Sequence, residues 1–218
     1  MLEMLSTAQL LPNSAEASYY DNTQGPVGLG SLSAKYESNG NPGTIANTKG
    51  DLGGKSYGTY QLTANSGHAQ KFANQYGGAL KGLKVGSSAF DTAWKKEAQN
   101  NPDKFKQAQH SYIANAHYQP ALNAFKSVTG ITKTEKMPIA VQNMIWSIGV
   151  QHGAGGARNV FKNSGVKSSD SWETMIKKIY AERSKVNIYF KNSTQAIKNG
   201  VANRFKNELN DALKQLKG

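Results

Sequence analysis

Two carboxylates stand alone in a long acid-poor stretch of this chain. Between Asp21 and Asp91 the acids are Glu37 and Asp51. Glu37 closes a segment, Ser31 to Ser38, that carries Leu32, Ala34 and Tyr36 and reads as a short helix with a serine able to cap it. Asp51 lies in a glycine-flanked turn, Lys49-Gly50-Asp51-Leu52-Gly53-Gly54. A helix end followed by a hairpin can set two carboxylates on opposite sides of one cleft. Glycosidic cleavage needs such a pair. One acid protonates the leaving oxygen, and one ionised group activates water or stabilises positive charge. A glutamate packed against apolar neighbours keeps its proton, while an aspartate in a solvated loop stays ionised. Position alone also allows a simpler reading, in which Glu37 caps or pairs and Asp51 is a turn residue.

Other chemistries lack their residues. The chain has no cysteine, so it has no disulfide framework, thiolate nucleophile or Cys-ligated zinc. His68, His110, His117 and His152 form no H-E-x-x-H, and they read as surface or core histidines. His152 is the exception, because Gln151-His152-Gly153 ends an apolar helix and could cap it or face a cleft. Gly54-Lys55-Ser56 resembles the end of a phosphate loop. Lys49 stands where the first glycine belongs, and no apolar strand precedes it. Ser56 lacks a G-x-S-x-G setting. Neither a metal nor a cofactor is expected.

Charge speaks to the partner. Among 218 residues there are 26 Lys+Arg and 14 Asp+Glu, a formal net charge of +12. An anionic partner is implied, with nucleic acid, an acidic membrane and the bacterial wall as classes. The lysines are dispersed, the arginines are Arg158, Arg183 and Arg204, and no nucleic-acid motif is present, so nucleic acid is not expected. No apolar run reaches about 18 residues, so membrane insertion is not expected.

The positioning elements follow from periodicity. Residues 1–27 read as an N-terminal extension, a short helix or partly ordered arm, without a recognisable signal peptide. Residues 28–218 read as one mostly α domain with a small β or loop region near its start. Ser56 to Leu62 alternates like a hairpin arm. Phe90, Ala93, Trp94 and Ala98 share a helical face, as do Phe105, Ala108 and Tyr112. Met137 to Gln151 is apolar nearly all round, with Pro138 in its first turn, and belongs inside; Gly153, Gly155 and Gly156 should break it. Trp172, Met175, Ile176, Ile179 and Tyr180 mark another helix. Ile197, Val201, Phe205, Leu209 and Ala212 mark the last, with Arg204 and Glu208 paired on its other side.

Glu37-Ser38-Asn39-Gly40 followed by Ser56-Tyr57-Gly58-Thr59-Tyr60-Gln61 resembles the active-site region of lysozyme-superfamily peptidoglycan hydrolases. Those enzymes carry a catalytic Glu-Ser at a helix end and a Gly-x-x-Gln element lining the sugar cleft. Gly50 to Gln61, Phe90 to Trp94, Ala108-Gln109-His110, Trp146 to Gly153, Ile179 to Arg183 and Arg204 to Glu208 are similar to muramidase domains of phage lysis or tail proteins and type VI secretion spike effectors. The fold also resembles chitosanases. The resemblance implies a lysozyme-like α+β fold. It makes Glu37 the general acid and Asp51 the general base, with Ser56, Tyr57, Tyr60, Gln61, Gln151 and His152 contacting sugar. Tyr57, Tyr60 and Trp146 are aromatic candidates for sugar faces, Trp146 reading better as core. The implied partner is peptidoglycan and the implied activity is hydrolysis of its β-1,4 bond, with a lytic transglycosylase or a chitosanase-like enzyme as alternatives; the charge leaves a non-catalytic basic wall- or nucleic-acid-binding module as a more distant one. A monomer is expected, unless the chain is part of a virion or spike. It would act outside the cytoplasm as a lysin, virion enzyme or secreted effector.

Overall fold

A computed structural model describes residues 28–30, 41–47 and 54–218 of the chain. The extension 1–27, the helix expected at Ser31 to Ser38, and both Glu37 and Asp51 lie outside the described residues. The described chain is mostly helical with a small antiparallel sheet near its N-terminal side, the α+β class expected. It divides into two compact units, 41–113 and 114–218, the latter joined by 28–30.

In the first unit, β1 (Ile45–Ala46), β2 (Ser56–Tyr57) and β3 (Leu62–Thr63) form one sheet with β2 central. Ile45 pairs with Tyr57, and Tyr57 pairs with Leu62, so the Ser56–Leu62 stretch, expected as one strand or hairpin arm, turns back on itself as a whole hairpin. Helices α1 (His68–Tyr76), α2 (Ser88–Asn100) and α3 (Pro102–Ile113) follow. Ser87 caps α2 by accepting the Phe90 N–H at 3.2 Å. The expected faces of α2 and α3 are buried at Phe90, Trp94, Phe105 and Tyr112. These rings and Phe72 form the core; the ring centres of Trp94 and Phe105 lie 4.7 Å apart and those of Phe72 and Trp94 5.4 Å apart, both as edge-on pairs.

The second unit is built on α4 (Gln119–Thr129), α5 (Ile139–Asn163), α6 (Trp172–Arg183), α7 (Val186–Tyr189) and α8 (Gln195–Leu216). Every residue from Ala140 to Gly149 is buried, as an all-round apolar helix requires. Trp146 is fully buried against Tyr118, a core position. Pro138 is the N-cap of α5 and stands just before its first turn. The expected break falls at Gly153, where two helical segments of α5 meet at a kink. Gly153 alone leaves helical geometry, at φ 64° and ψ 178°, a region nearly closed to residues with a Cβ. Gly155 and Gly156 accept helical angles, so the helix kinks and runs on to Asn163.

The last stripe also differs from expectation. On α8 the buried residues are Phe205, Glu208 and Ala212, whereas Ile197 is 53% exposed. Glu208 stands three residues after Phe205 and four before Ala212, so it shares the inward face rather than the opposite one.

Candidate functional site

The Gly58-Thr59-Tyr60-Gln61 stretch is a hairpin loop between the Tyr57–Leu62 pair. The Gln61 N–H donates to the Gly58 carbonyl at 3.3 Å and closes the loop. Gly58 has φ 75°, and a Cβ there would stand 2.2 Å from Gln109 Oε1. Only glycine meets both conditions. Gln61 has φ 49°, the one non-glycine residue with positive φ among the described residues. Left-handed backbone costs such a residue on the order of 1–2 kcal/mol. Its side chain is exposed at the loop end.

The loop is held from α3. Gln109 is fully buried; its Oε1 accepts the Thr59 N–H at 2.9 Å and its Nε2 donates to the Pro42 carbonyl at 3.0 Å. Next to it, His110 Nδ1 pairs with the Tyr60 hydroxyl at 2.6 Å. Burial pushes the His110 imidazole down to about 4, helped by the nearby Lys106 charge, so the ring is neutral near pH 7. On the other side of the hairpin the Tyr57 hydroxyl donates to Asp91 at 2.7 Å and accepts the Gly86 N–H at 3.1 Å. Lys55 completes that contact, 2.6 Å from Asp91. Burial by itself would raise the Asp91 carboxyl, but its bonds from Lys55 and Tyr57 win and hold it below the usual range.

In the helical unit, Gln151 and His152 occupy the last turn before the Gly153 kink. Gln151 Oε1 accepts from Arg183 Nη2 at 2.8 Å. Arg183 is wholly buried, its guanidinium 4.0 Å from the centre of the Phe205 ring. Its Nη1 donates to Glu208 at 3.1 Å, and both Nη atoms reach the Ser147 hydroxyl at 3.2 Å. Glu208 also accepts from Ser147 at 2.8 Å, Tyr180 at 3.3 Å and Arg204 at 2.6 Å. Burial would raise the Glu208 carboxyl, but the two arginines and these bonds hold it below the usual range. His152 packs edge-on against Tyr189 and Phe190, each ring centre 5.6 Å away. Burial and the Arg183 charge push its imidazole down to about 4, against a smaller opposing pull from Glu208. Its Nε2 is buried without a hydrogen-bond partner among the described residues.

Residues 29–209 match the family described as type VI secretion system spike protein VgrG3-like, C-terminal. The chain belongs to this family. The type VI secretion system spike protein VgrG3 of Vibrio cholerae serotype O1 is 34% identical over 139 residues, which are 62% of this chain and 13% of that protein. The chain thus spans a small fraction of that relative's length. These matches correct the assignment drawn from the motifs. The lysozyme-superfamily hydrolases, with their phage and chitosanase relatives, give way to a family whose description names a component of a secretion spike.

The stretch matching the spike C-terminal family contains all the candidate site residues singled out from the sequence. In the hairpin unit the structure gathers Ser56, Tyr57, Tyr60 and Gln61 on one hairpin; in the helical unit it sets Gln151 beside His152. Tyr57 is 0% exposed, so the expected sugar contact is corrected: its ring is core and its hydroxyl anchors Asp91. Ser56 and Tyr60 are buried too, and the Tyr60 hydroxyl is turned to His110. Gln61 is the exposed member. Sequence reasoning read Glu208 as the partner of Arg204 on the outer side of its helix, and placed Gln109, His110 and Arg183 in resembling segments without a role at the site. The signal for Glu208 was its place on the Phe205–Ala212 stripe. For Gln109 the signal was its place in the Ala108-Gln109-His110 segment, which does not say what it contacts.

Proposed function

We propose that this domain of the spike C-terminal family is a glycoside hydrolase acting on peptidoglycan, at the β-1,4 bond between N-acetylmuramic acid and N-acetylglucosamine. Glu37 donates a proton to the glycosidic oxygen, and Asp51 activates the attacking water from the other face of the sugar. Gln61 contacts sugar from the hairpin unit. Gln151 and His152 supply neutral hydrogen-bonding groups in the helical unit, suited to hydroxyl and acetamido groups. The single observation that carries the reading is the Gly58–Gln61 loop, which keeps an exposed glutamine in a costly left-handed conformation. Backbone strain of this kind persists where surrounding contacts enforce it, and it concentrates at ligand-contacting sites. The net charge of +12 fits an anionic wall as partner. Similarity to a spike protein fits a domain carried by a secretion assembly and working outside the cytoplasm of the cell that made it.

The test is release of glycan from purified peptidoglycan by the wild type and by Glu37→Gln, which keeps shape and removes the acid. Activity in the wild type and collapse in a folded Glu37→Gln support the reading. Undiminished activity in the variant overturns the mechanism. Mass spectrometry of the products adds the reaction type: reducing ends mean hydrolysis, and 1,6-anhydro ends mean intramolecular attack by the substrate's own hydroxyl.

A further inference from the structure

We propose that Gln109 is a positioning residue for Gln61: from the interior of the hairpin unit it sets the loop that presents the Gln61 side chain to the glycan. The inference rests on the glycosidase reading and adds a residue to it. Gln109 is fully buried, yet both ends of its amide are engaged by backbone far away in sequence. The Thr59 N–H, fifty residues earlier, donates to Oε1, and the Pro42 carbonyl, sixty-seven residues earlier, accepts from Nε2. One planar amide therefore ties the loop to the segment leading into β1. That segment grips the loop a second time, since the Thr44 carbonyl accepts the Gly58 N–H at 2.8 Å. Trp94 Nε1 donates to the same Pro42 carbonyl at 2.9 Å, which fixes the acceptor that Gln109 uses.

The fit at Gly58 shows how closely the amide approaches. A Cβ on Gly58 would overlap Gln109 Oε1 and lie 2.7 Å from its Cδ. A leucine or methionine at 109 fills the volume but returns neither hydrogen bond, and a glutamate supplies the acceptor without the donor. The Tyr60–His110 bond holds the loop's next residue from the adjoining position of α3. With Thr59 and Tyr60 fixed from below, Gln61 closes on the Gly58 carbonyl with positive φ, and the residue stays exposed. Gln109 itself touches no sugar. It acts through the backbone of Thr59.

The test is a double-mutant cycle between Gln109→Met and Gln61→Ala on a soluble peptidoglycan tetrasaccharide, with circular dichroism as the fold control. Each single variant is expected to lose kcat/KM by tenfold to a hundredfold, on the order that small misplacements produce. The double variant is expected to lose no more than Gln61→Ala alone, because removing the presented group leaves nothing to position. If Gln109→Met does not fold, Gly58→Ala takes its place in the cycle and displaces the same amide from the loop side. Losses that multiply in the double variant overturn the proposal, as does full activity in a folded Gln109→Met. A harmless Gln61→Ala beside an inactive Glu37→Gln also overturns it while the glycosidase reading stands. A wild type that cleaves no glycan fails the glycosidase reading first and takes this proposal with it.

Discussion

The two units hold a candidate glutamine in opposite ways. Gln61 is placed by its backbone: a strained loop is fixed by the neutral amide of Gln109 and the neutral ring of His110. Gln151 is placed by its side chain, against a buried ionic cluster of Arg183, Glu208 and Arg204. Neutral hydrogen bonds avoid the desolvation cost of charge but must oppose the strain of a left-handed residue. The ionic cluster carries no such strain, yet its stability depends on each charge keeping its partner. A glutamine can therefore be fixed through either its backbone or its side chain, and the two solutions fail differently.

The largest expected effect is in the ionic unit. Glu208→Ala leaves Arg183 a buried cation without its carboxylate and should cost about 3–5 kcal/mol in urea unfolding. A cost under about 1 kcal/mol would show that the cluster does not depend on its charges and would break the contrast.

Acid affects both units through their histidines. His110 and His152 have folded values near 4, below the ordinary 6.5. The unfolded chain therefore binds protons that the folded chain refuses as pH falls below 6.5. Stability is whole above that value and declines toward pH 4, by about 2–3 kcal/mol for each histidine at the lower limit. Glu208 has a lowered value, so its contribution is present above the ordinary 4.5 and is lost as pH falls below that. Urea midpoints taken between pH 7 and 4.5 report mainly the histidines, His68 with its lowered value among them, and His152→Asn should make the slope distinctly shallower. A flat profile in that window would contradict neutral burial in both units.

The smallest effects set the glutamines against each other. Gln151→Met leaves an Arg183 N–H unsatisfied and should cost about 1–2 kcal/mol. Gln61→Gly relieves the left-handed backbone and should leave stability unchanged or raise it by up to about 1 kcal/mol, while glycan cleavage falls. Thermal unfolding and turnover measured on the same samples check both signs. Destabilisation by Gln61→Gly would mean that the loop is not strained.

Much of the helical framework was legible because apolar periodicity is a local property. Phe90 with Trp94, Phe105 with Tyr112, and the buried run from Ala140 to Gly149 took the faces their spacing required. The glycine cluster marked the break but not which glycine makes it, because glycine permits a break without stating its angle. One residue kinked and the helix resumed. Glu208 was misread because a pair four apart on a helix describes a solvent-facing bridge and a buried one equally well. Tyr57 was misread for a related reason: a tyrosine in a polar hairpin looks available until the rings of Phe90 and Trp94 enclose it.

By itself the sequence located the Gly-x-x-Gln loop, the isolated acids Glu37 and Asp51, and the helical register, all carried by residue type and short spacing. The tertiary structure alone decided what stands behind that loop. Gln109 meets Thr59 across fifty residues and Pro42 across sixty-seven. No local pattern encodes such a meeting, because a buried amide finds its partners only after the core has closed around it.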